Sequence, residues 1–346
     1  MTKWKKGSSA RQFAEKAAER MIEQLKKGVA PWQRGWDKPE GSELPPYNPV
    51  TGTRYRGLNS FVLASEAGER GYSDPRWTTY RGANKIGAQV RRGEKGVGVE
   101  YWKFPTKEQE DRVRAAIAAG QQHEELKIIH RTYTVFNAEQ IEGMPSLESE
   151  LKKVNQWEAC ERAEALLQAS GANIEHRGGN RAFYRPSQDL IVLPKQEQFH
   201  SPEAYYSTAL HELGHWTGHK SRLDRSELMK GSFGSPEYAK EELRAEMTSV
   251  TVNGMLRLPH DPNSHASYVG SWIKTLQDNP NELRYAARDA GKMSDYILQF
   301  DRYQERQAEE KPREAGLSSS VCRQQPDLSQ RPQPKPDREP VSTLTR

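Results

Sequence analysis

Cysteine is almost missing from this 346-residue sequence: only Cys160 and Cys322 occur. One lies in a helical apolar pattern and the other in a polar carboxy-terminal stretch, which excludes a disulfide framework and suits a reducing compartment. Long apolar runs are missing too. Lys3, Lys5 and Lys6 open the chain, but no hydrophobic segment follows them, so neither a signal peptide nor a membrane span is expected and the location should be cytoplasmic. No Gly-Lys-Ser/Thr occurs, so the glycines between Arg92 and Gly98 do not make a nucleotide-triphosphate loop. A hairpin or a close backbone approach to DNA is their expected use. No recognition helix, zinc finger or carboxylate set for two-metal polymerisation is evident, which weighs against a duplex reader and a primase-type catalyst.

What the sequence does contain is His211-Glu212-Leu213-Gly214-His215. Histidines four apart stand one turn above each other on the same helix face, so both imidazoles can reach one metal ion. Glu212 lies beside that face, where a carboxylate takes a proton from metal-activated water; the chemistry indicated is metal-assisted hydrolysis. Ser201-Pro202-Glu203 supplies a serine cap and a first-turn proline, so the motif falls inside a helix. Three residues compete to be the third ligand. Glu242 and Glu246 share one face of a second helix running from Pro236 to Arg257, one binding metal and the other orienting a histidine, in either order. Both could instead pair with Lys240 or Arg244 on a solvated face. His219 is the third candidate, although Gly218 is expected to end the helix before it and make it a cap or substrate-side histidine. Two histidines and a carboxylate favour one Zn2+ per chain, with Mn2+ the other possibility.

Around this motif, Arg181 to Arg185 and Asp189 to Pro194 read as two short strands joined by a Pro-Ser-Gln turn. The second is either an edge strand that pairs with an extended substrate or an ordinary core strand. Helices are expected over 155–169, 266–277 and 281–299, and residues 146–305 together outline an α+β zincin-like domain. A helix over 9–27, stopped by Gly28, opens an amino-terminal domain, 1–145, with 143–150 as connector. Residues 306–346 are rich in Gln, Pro, Ser and Arg and lack a core, so a disordered tail is expected.

Charge is spread unevenly. Thr51 to Lys107 carries eleven Lys and Arg against five Asp and Glu, whereas Leu151 to Glu305 carries nineteen against twenty-one. The basic segment interleaves aromatics with cations, the mixture single-stranded DNA binding needs, because cations track phosphates while flat rings stack on bases. The candidates are Arg54, Tyr55, Arg56, Arg76, Trp77, Arg81, Arg91, Arg92, Lys95 and Trp102. Each aromatic could equally be a core residue, so the arginines and Lys95 are the better candidates for contact.

His-Glu-Leu-Gly-His-Trp-Thr-Gly-His, Arg222-Leu-Asp-Arg225 and Tyr238 to Glu246 resemble the metallopeptidase-like domain of the ArdC-type antirestriction proteins. Pro31-Trp32, Pro46 to Pro49, Tyr55 to Asn59 and Gly93-Glu-Lys-Gly96 resemble that family's amino-terminal domain, which is shared with certain plasmid primases and associated with single-stranded DNA. The resemblance spans roughly residues 8 to 300. It implies a protein of a conjugative plasmid or mobile element that protects incoming DNA from host restriction and that could enter a recipient cell with that DNA. It also implies an α+β fold of two domains and a site of His211, His215 and Glu242 with Glu212 catalytic. Two functions fit: a zinc peptidase that cuts a restriction-related protein met on DNA, or a protein that coats single strands while its zinc domain is structural or docks a partner.

Overall fold

The apolar spacing near the amino terminus produces helix α1 (Ser9–Lys26), whose buried stripe is Ala14, Ala18, Met21 and Leu25. It ends at Gly28, which adopts φ +73°, a left-handed conformation that glycine enters without steric cost. The computed structural model describes residues 9–28, 44–147, 156–232, 234–259 and 268–301, all within one compact unit, 1–302. The expected tail and the end of the connector, 148–150, lie outside the described residues.

After α1 come α2 (Leu58–Arg70), β1 (Trp77–Thr78), α3 (Tyr80–Lys85), β2 (Gln89–Val90), β3 (Val97–Lys103), α4 (Lys107–Ala118), β4 (Ile129–Asn137) and β5 (Ile141–Glu142). Strands β1, β4 and β3 form an antiparallel sheet in that order, and β2 pairs with β5. Leu63, Ala67, Trp77, Val97, Val99 and Val135 make a small core between α2 and the sheet. The outer edge of β3 is covered by a side chain: Asn59 of α2 donates to Glu100 O (2.7 Å) and accepts from Glu100 N (2.8 Å). A side-chain amide thus occupies the place of a neighbouring strand, which blunts an edge otherwise open to pairing.

The second half runs α5 (Gln156–Ser170), β6 (Asn173–Arg177), β7 (Phe183–Arg185), β8 (Leu190–Pro194), α6 (Pro202–Trp216), α7 (Pro236–Leu256), α8 (Val269–Asp278) and α9 (Asn281–Leu298). Strand β8 lies between β6, which is parallel to it, and β7, which is antiparallel. All five of its residues are buried, as expected for a strand covered on both faces. It is therefore the core strand of this sheet, and β7 rather than β8 is the edge beside the histidine helix. Ala163, Leu166, Leu167, Ile191, Leu193, Leu210, Leu213 and Val252 form the core between helices and sheet.

The halves share a second core. Ala14, Ala18, Met21 and Leu25 of α1 and Leu58 of α2 pack with Leu243, Met247, Trp272, Leu276, Leu283 and Ala287 from α7, α8 and α9. Polar contacts reinforce it. Arg284 of α9 donates to both Glu100 oxygens, at 2.5 and 3.1 Å, and to Ala10 O at 2.6 Å. On α1, Arg20 pairs with Glu66 and Glu69 of α2.

Candidate metal centre

Ser201 accepts a hydrogen bond from Ala204 N and starts α6; Ser235 accepts one from Tyr238 N and starts α7. These side-chain caps fix where each helix begins, and so which residues face across the gap. Leu210 and Leu213 turn α6 into the core, leaving His211 and His215 toward α7. Small residues set the approach: a methyl placed on Gly214 would meet Ala245 Cα at 3.5 Å.

The helices bring together His211, His215 and Glu242, whose nearest ligand atoms all lie within 4.8 Å of one another. His211 Nε2 is 3.6 Å from Glu242 Oε2, and His215 Nε2 is 3.4 Å from Glu242 Oε1. Behind each imidazole stands another carboxylate. Glu246 Oε2 lies 3.6 Å from His211 Nδ1, and Glu241 Oε1 lies 3.4 Å from His215 Nδ1. Arg225 holds Glu241 in turn, donating to Oε1 at 2.7 Å and Oε2 at 3.1 Å, and anchors itself on Thr217 Oγ1 and Gly214 O. His219 stands apart in the loop after α6, its Nδ1 2.8 Å from Ser221 Oγ. Tyr238 and Tyr268, whose hydroxyls are 3.1 Å apart, flank Glu242.

Electrostatics follow from this packing. Burial alone would push Glu242 up, yet His215 and His211 overcome it and hold the carboxyl well below the usual carboxylate range. Burial opposes charge on His211, but hydrogen bonds to Glu242 and Glu246 prevail and raise it to about 9. Glu212 moves the other way, because burial lifts it more than the histidines pull it down. Four buried carboxylates (Glu212, Glu241, Glu242 and Glu246) thus face two imidazoles and one arginine. The field that favours a proton on the imidazoles equally favours a divalent cation between them. The donor set of two histidine nitrogens and one carboxylate fits such an ion, and Glu212 Oε2 beside it is buried without a hydrogen-bond partner.

The Tyr184 backbone of β7 faces the Glu212 carboxylate and favours its charged form, the weakest of the influences on it. The Tyr184 hydroxyl donates to Asp189 Oδ1 (2.7 Å) and accepts from Arg222. Arg222 also bonds Asp189, donates to Trp216 O at 2.6 Å and stacks 3.9 Å above the Trp216 ring. The two arginines of Arg222-Leu-Asp-Arg225 therefore do different jobs, one tethering the β7–β8 hairpin and the other fixing Glu241.

A model of the N-terminal domain of anti-restriction factor ArdC matches residues 11–136, and a model of zincin-like metallopeptidases matches residues 161–289. The fold also matches the crystal structure of the antirestriction protein ArdC from plasmid R388 in its metal-free form. Identity is 33%, the TM-score is 0.66, and the match covers 83% of this chain and 97% of that one. This chain belongs to the ArdC antirestriction family. The Mn(II)-bound structure of the same R388 protein gives a TM-score of 0.65 at 33% identity, over 84% and 98% of the two chains. Two Escherichia coli proteins named DNA primase TraC are 52% and 46% identical, over 84% and 96% of this chain. The chain spans only 20% and 31% of their lengths.

In the ArdC-type amino-terminal region, the DNA candidates separate into inside and outside. Arg76 and Trp77 are buried, at 2% and 1% exposure, which removes them from any DNA surface. Asp74, two residues before Arg76, accepts its guanidinium at 2.7 Å and neutralises it, and Trp77 sits in the small core. Tyr55 spends its hydroxyl on Trp77 O (3.0 Å), and Arg54 is half-buried. Arg56 is exposed but reaches Asp295 of α9 at 2.7 Å. Trp102 lies against His130, ring centroids 4.3 Å apart, on the sheet face that Arg284 covers. Arg81, Arg91, Arg92 and Lys95 are exposed, with Arg91 paired to Glu94. Glu241, Arg225, Tyr184 and Arg222 were not singled out for roles by the sequence reading, although the Glu241-Glu242 doublet and the Arg-Leu-Asp-Arg spacing were visible signals. Among the described residues no helix is long and apolar enough to cross a membrane.

Proposed function

We propose that this antirestriction-family chain binds single-stranded DNA of an incoming plasmid or mobile element and protects it from restriction by metal-dependent cleavage of a protein met on that DNA. The observation that carries the hydrolytic part is the convergence of His211, His215 and Glu242 within 4.8 Å, with Glu212 buried beside them. The Nε2 atoms of His211 and His215 and the Glu242 carboxylate would hold the ion, Zn2+ by donor type. When bound, such an ion supplies Lewis acidity, polarising a peptide carbonyl and easing deprotonation of water.

The remaining work belongs to side chains. Glu246 and Glu241 keep His211 and His215 turned toward the site, because a carboxylate at Nδ1 fixes the tautomer that leaves Nε2 as donor. Glu212, beside the Tyr184 backbone of β7, accepts the proton of the attacking water on its carboxylate and delivers it to the departing amine. Strand β7 offers the backbone edge along which an extended peptide would pair. Tyr238 and Tyr268 place hydroxyls beside Glu242, where a developing oxyanion needs donors.

The alternative, a strand-coating protein with a non-proteolytic metal domain, draws on the burial of His211, Glu212, His215 and Glu242, each under a tenth exposed. One assay separates the two. Metal content is measured on wild type and Glu242→Ala, with proteolysis followed with and without single-stranded DNA for wild type and Glu212→Gln. Bound zinc that Glu242→Ala loses, with cleavage that Glu212→Gln loses, supports the peptidase. Bound metal without cleavage under any DNA condition supports the alternative.

A further inference from the structure

The register of β3 and β4 sets Tyr101 opposite Arg131, Lys103 opposite Ile129 and Val99 opposite Tyr133. Directly opposed residues of an antiparallel pair share a face, and alternate residues along each strand return to it. Tyr101, Lys103, Arg131 and Tyr133 therefore stand on one side of the sheet, while Glu100, Trp102 and His130 stand on the other. That other side is occupied around Glu100, which is bound by Arg284 and His130, and around Trp102, which lies under Arg284, while Thr132 and Thr134 of β4 stay exposed there. The first side is covered by α2 where Val97, Val99 and Val135 join the small core, and is open beyond them. Tyr101 and Tyr133 are 48% and 41% exposed, their rings meeting edge to face with centroids 6.0 Å apart. Arg131 and Lys103 are exposed and have no ion-pair partner among the described residues. No acidic residue of either strand points to this face. Glu124 and Glu125 line a recess with Lys103, Phe104 and Lys127 at the end of the strands, so Arg131 is the cation of this face that lies clear of carboxylates.

We infer that the face formed by Tyr101, Lys103, Arg131 and Tyr133 is the platform on which single-stranded DNA lies, bases on the tyrosine rings and phosphates on Arg131 and Lys103. The inference rests on the proposed single-strand binding and assigns it to residues outside the Arg-rich and Trp-rich positions that composition favours. Charge and shape both select this occupant. Arg131, which no acid of either strand faces, attracts a polyanion with Lys103 beside it, and exposed rings on a sheet stack on bases that are not paired, whatever their sequence. A flat sheet face offers nothing that enters a duplex groove, which takes a helix or a two-stranded ribbon.

The test is fluorescence anisotropy of the full chain with a labelled oligothymidylate and, separately, a labelled duplex, across a salt series. Tyr101→Ala and Tyr133→Ala should each weaken oligothymidylate binding roughly 5- to 100-fold, and Arg131→Ala should lower the salt slope by about one. Because these side chains are at the surface, melting temperatures should barely move. Photo-crosslinking of wild type to a bromodeoxyuridine oligonucleotide gives a second readout that needs no variant, and adducts should map to β3 or β4. Wild-type binding undiminished in the tyrosine variants, with adducts elsewhere, overturns the platform while leaving single-strand binding intact. Equal loss of oligothymidylate and duplex in the tyrosine variants also overturns it, since stacking would not be the source. Failure of wild type to bind oligothymidylate removes the platform together with the reading beneath it.

Discussion

Around His211 and His215, four glutamates are buried against one another with Arg225 half-buried beside them, whereas in the amino-terminal half Arg81, Arg91, Arg92, Lys95 and Arg131 stand at the surface. The difference reflects two ways of handling charge. A buried cluster must be compensated atom by atom, because an unpaired charge in low dielectric is costly, so each residue has one partner and one position. A surface that meets a long polyanion needs only a sign and a density, and tolerates many arrangements. The first is therefore brittle to substitution and the second is graded.

The largest expected effect breaks the cluster at its proton carrier: Glu212→Gln should lower hydrolysis by about 10²–10⁴-fold while leaving metal content and oligonucleotide affinity unchanged. Loss of metal in that variant would place Glu212 among the ligands instead. Next comes the joint between the halves. Arg284→Ala leaves the buried Glu100 carboxylate with His130 as its remaining side-chain partner and should cost about 3 kcal/mol in urea unfolding, a loss seen in both halves at once because they share a core. Independent unfolding of the halves, with only one affected, would contradict that core. Glu241→Gln should reduce metal affinity about 10- to 100-fold by loosening His215, and Arg225→Ala should do the same through Glu241; equal metal titrations for wild type and both variants would deny them a positioning role. On the graded side, Arg91→Ala and Arg92→Ala should each change the salt slope of binding by one or less, with no effect on hydrolysis. The smallest effect concerns Asp189, held below its ordinary value chiefly by its hydrogen bond from Arg222. A depressed carboxylate stabilises the fold above its unfolded value and loses that contribution as pH falls, so Asp189→Asn should flatten the acid-side drop in melting temperature below about pH 4.

The same contrast explains what was legible in the sequence. His211, Glu212 and His215 could be read because their relation is local to one helix, and Glu242 and Glu246 because one helix face carries both. Which carboxylate meets which imidazole depends on how α6 crosses α7 at Gly214 and Ala245, and no spacing rule contains that, so Glu241 passed unnoticed. Helices over 155–169 and 281–299 were clear from apolar period and appear within a residue or two as α5 and α9. The aromatic and basic dipeptides misled at Arg76-Trp77 because β1 is only two residues long and alternation cannot be seen in it. Tyr101 and Tyr133 were equally hidden, since α2 covers their face only as far as Val97, Val99 and Val135, and where a helix stops on a sheet is not written in the strand's own alternation.

Helix α1 has a consequence for how the chain is made. Its apolar stripe packs on Trp272, Leu276, Leu283 and Ala287, which are synthesised some 250 residues after it. Closing so long a loop costs little more than closing one half as long, but it cannot begin until α8 and α9 exist. Until then Ala14, Ala18, Met21 and Leu25 wait exposed on a nascent chain, a task for holding chaperones rather than for the helix itself.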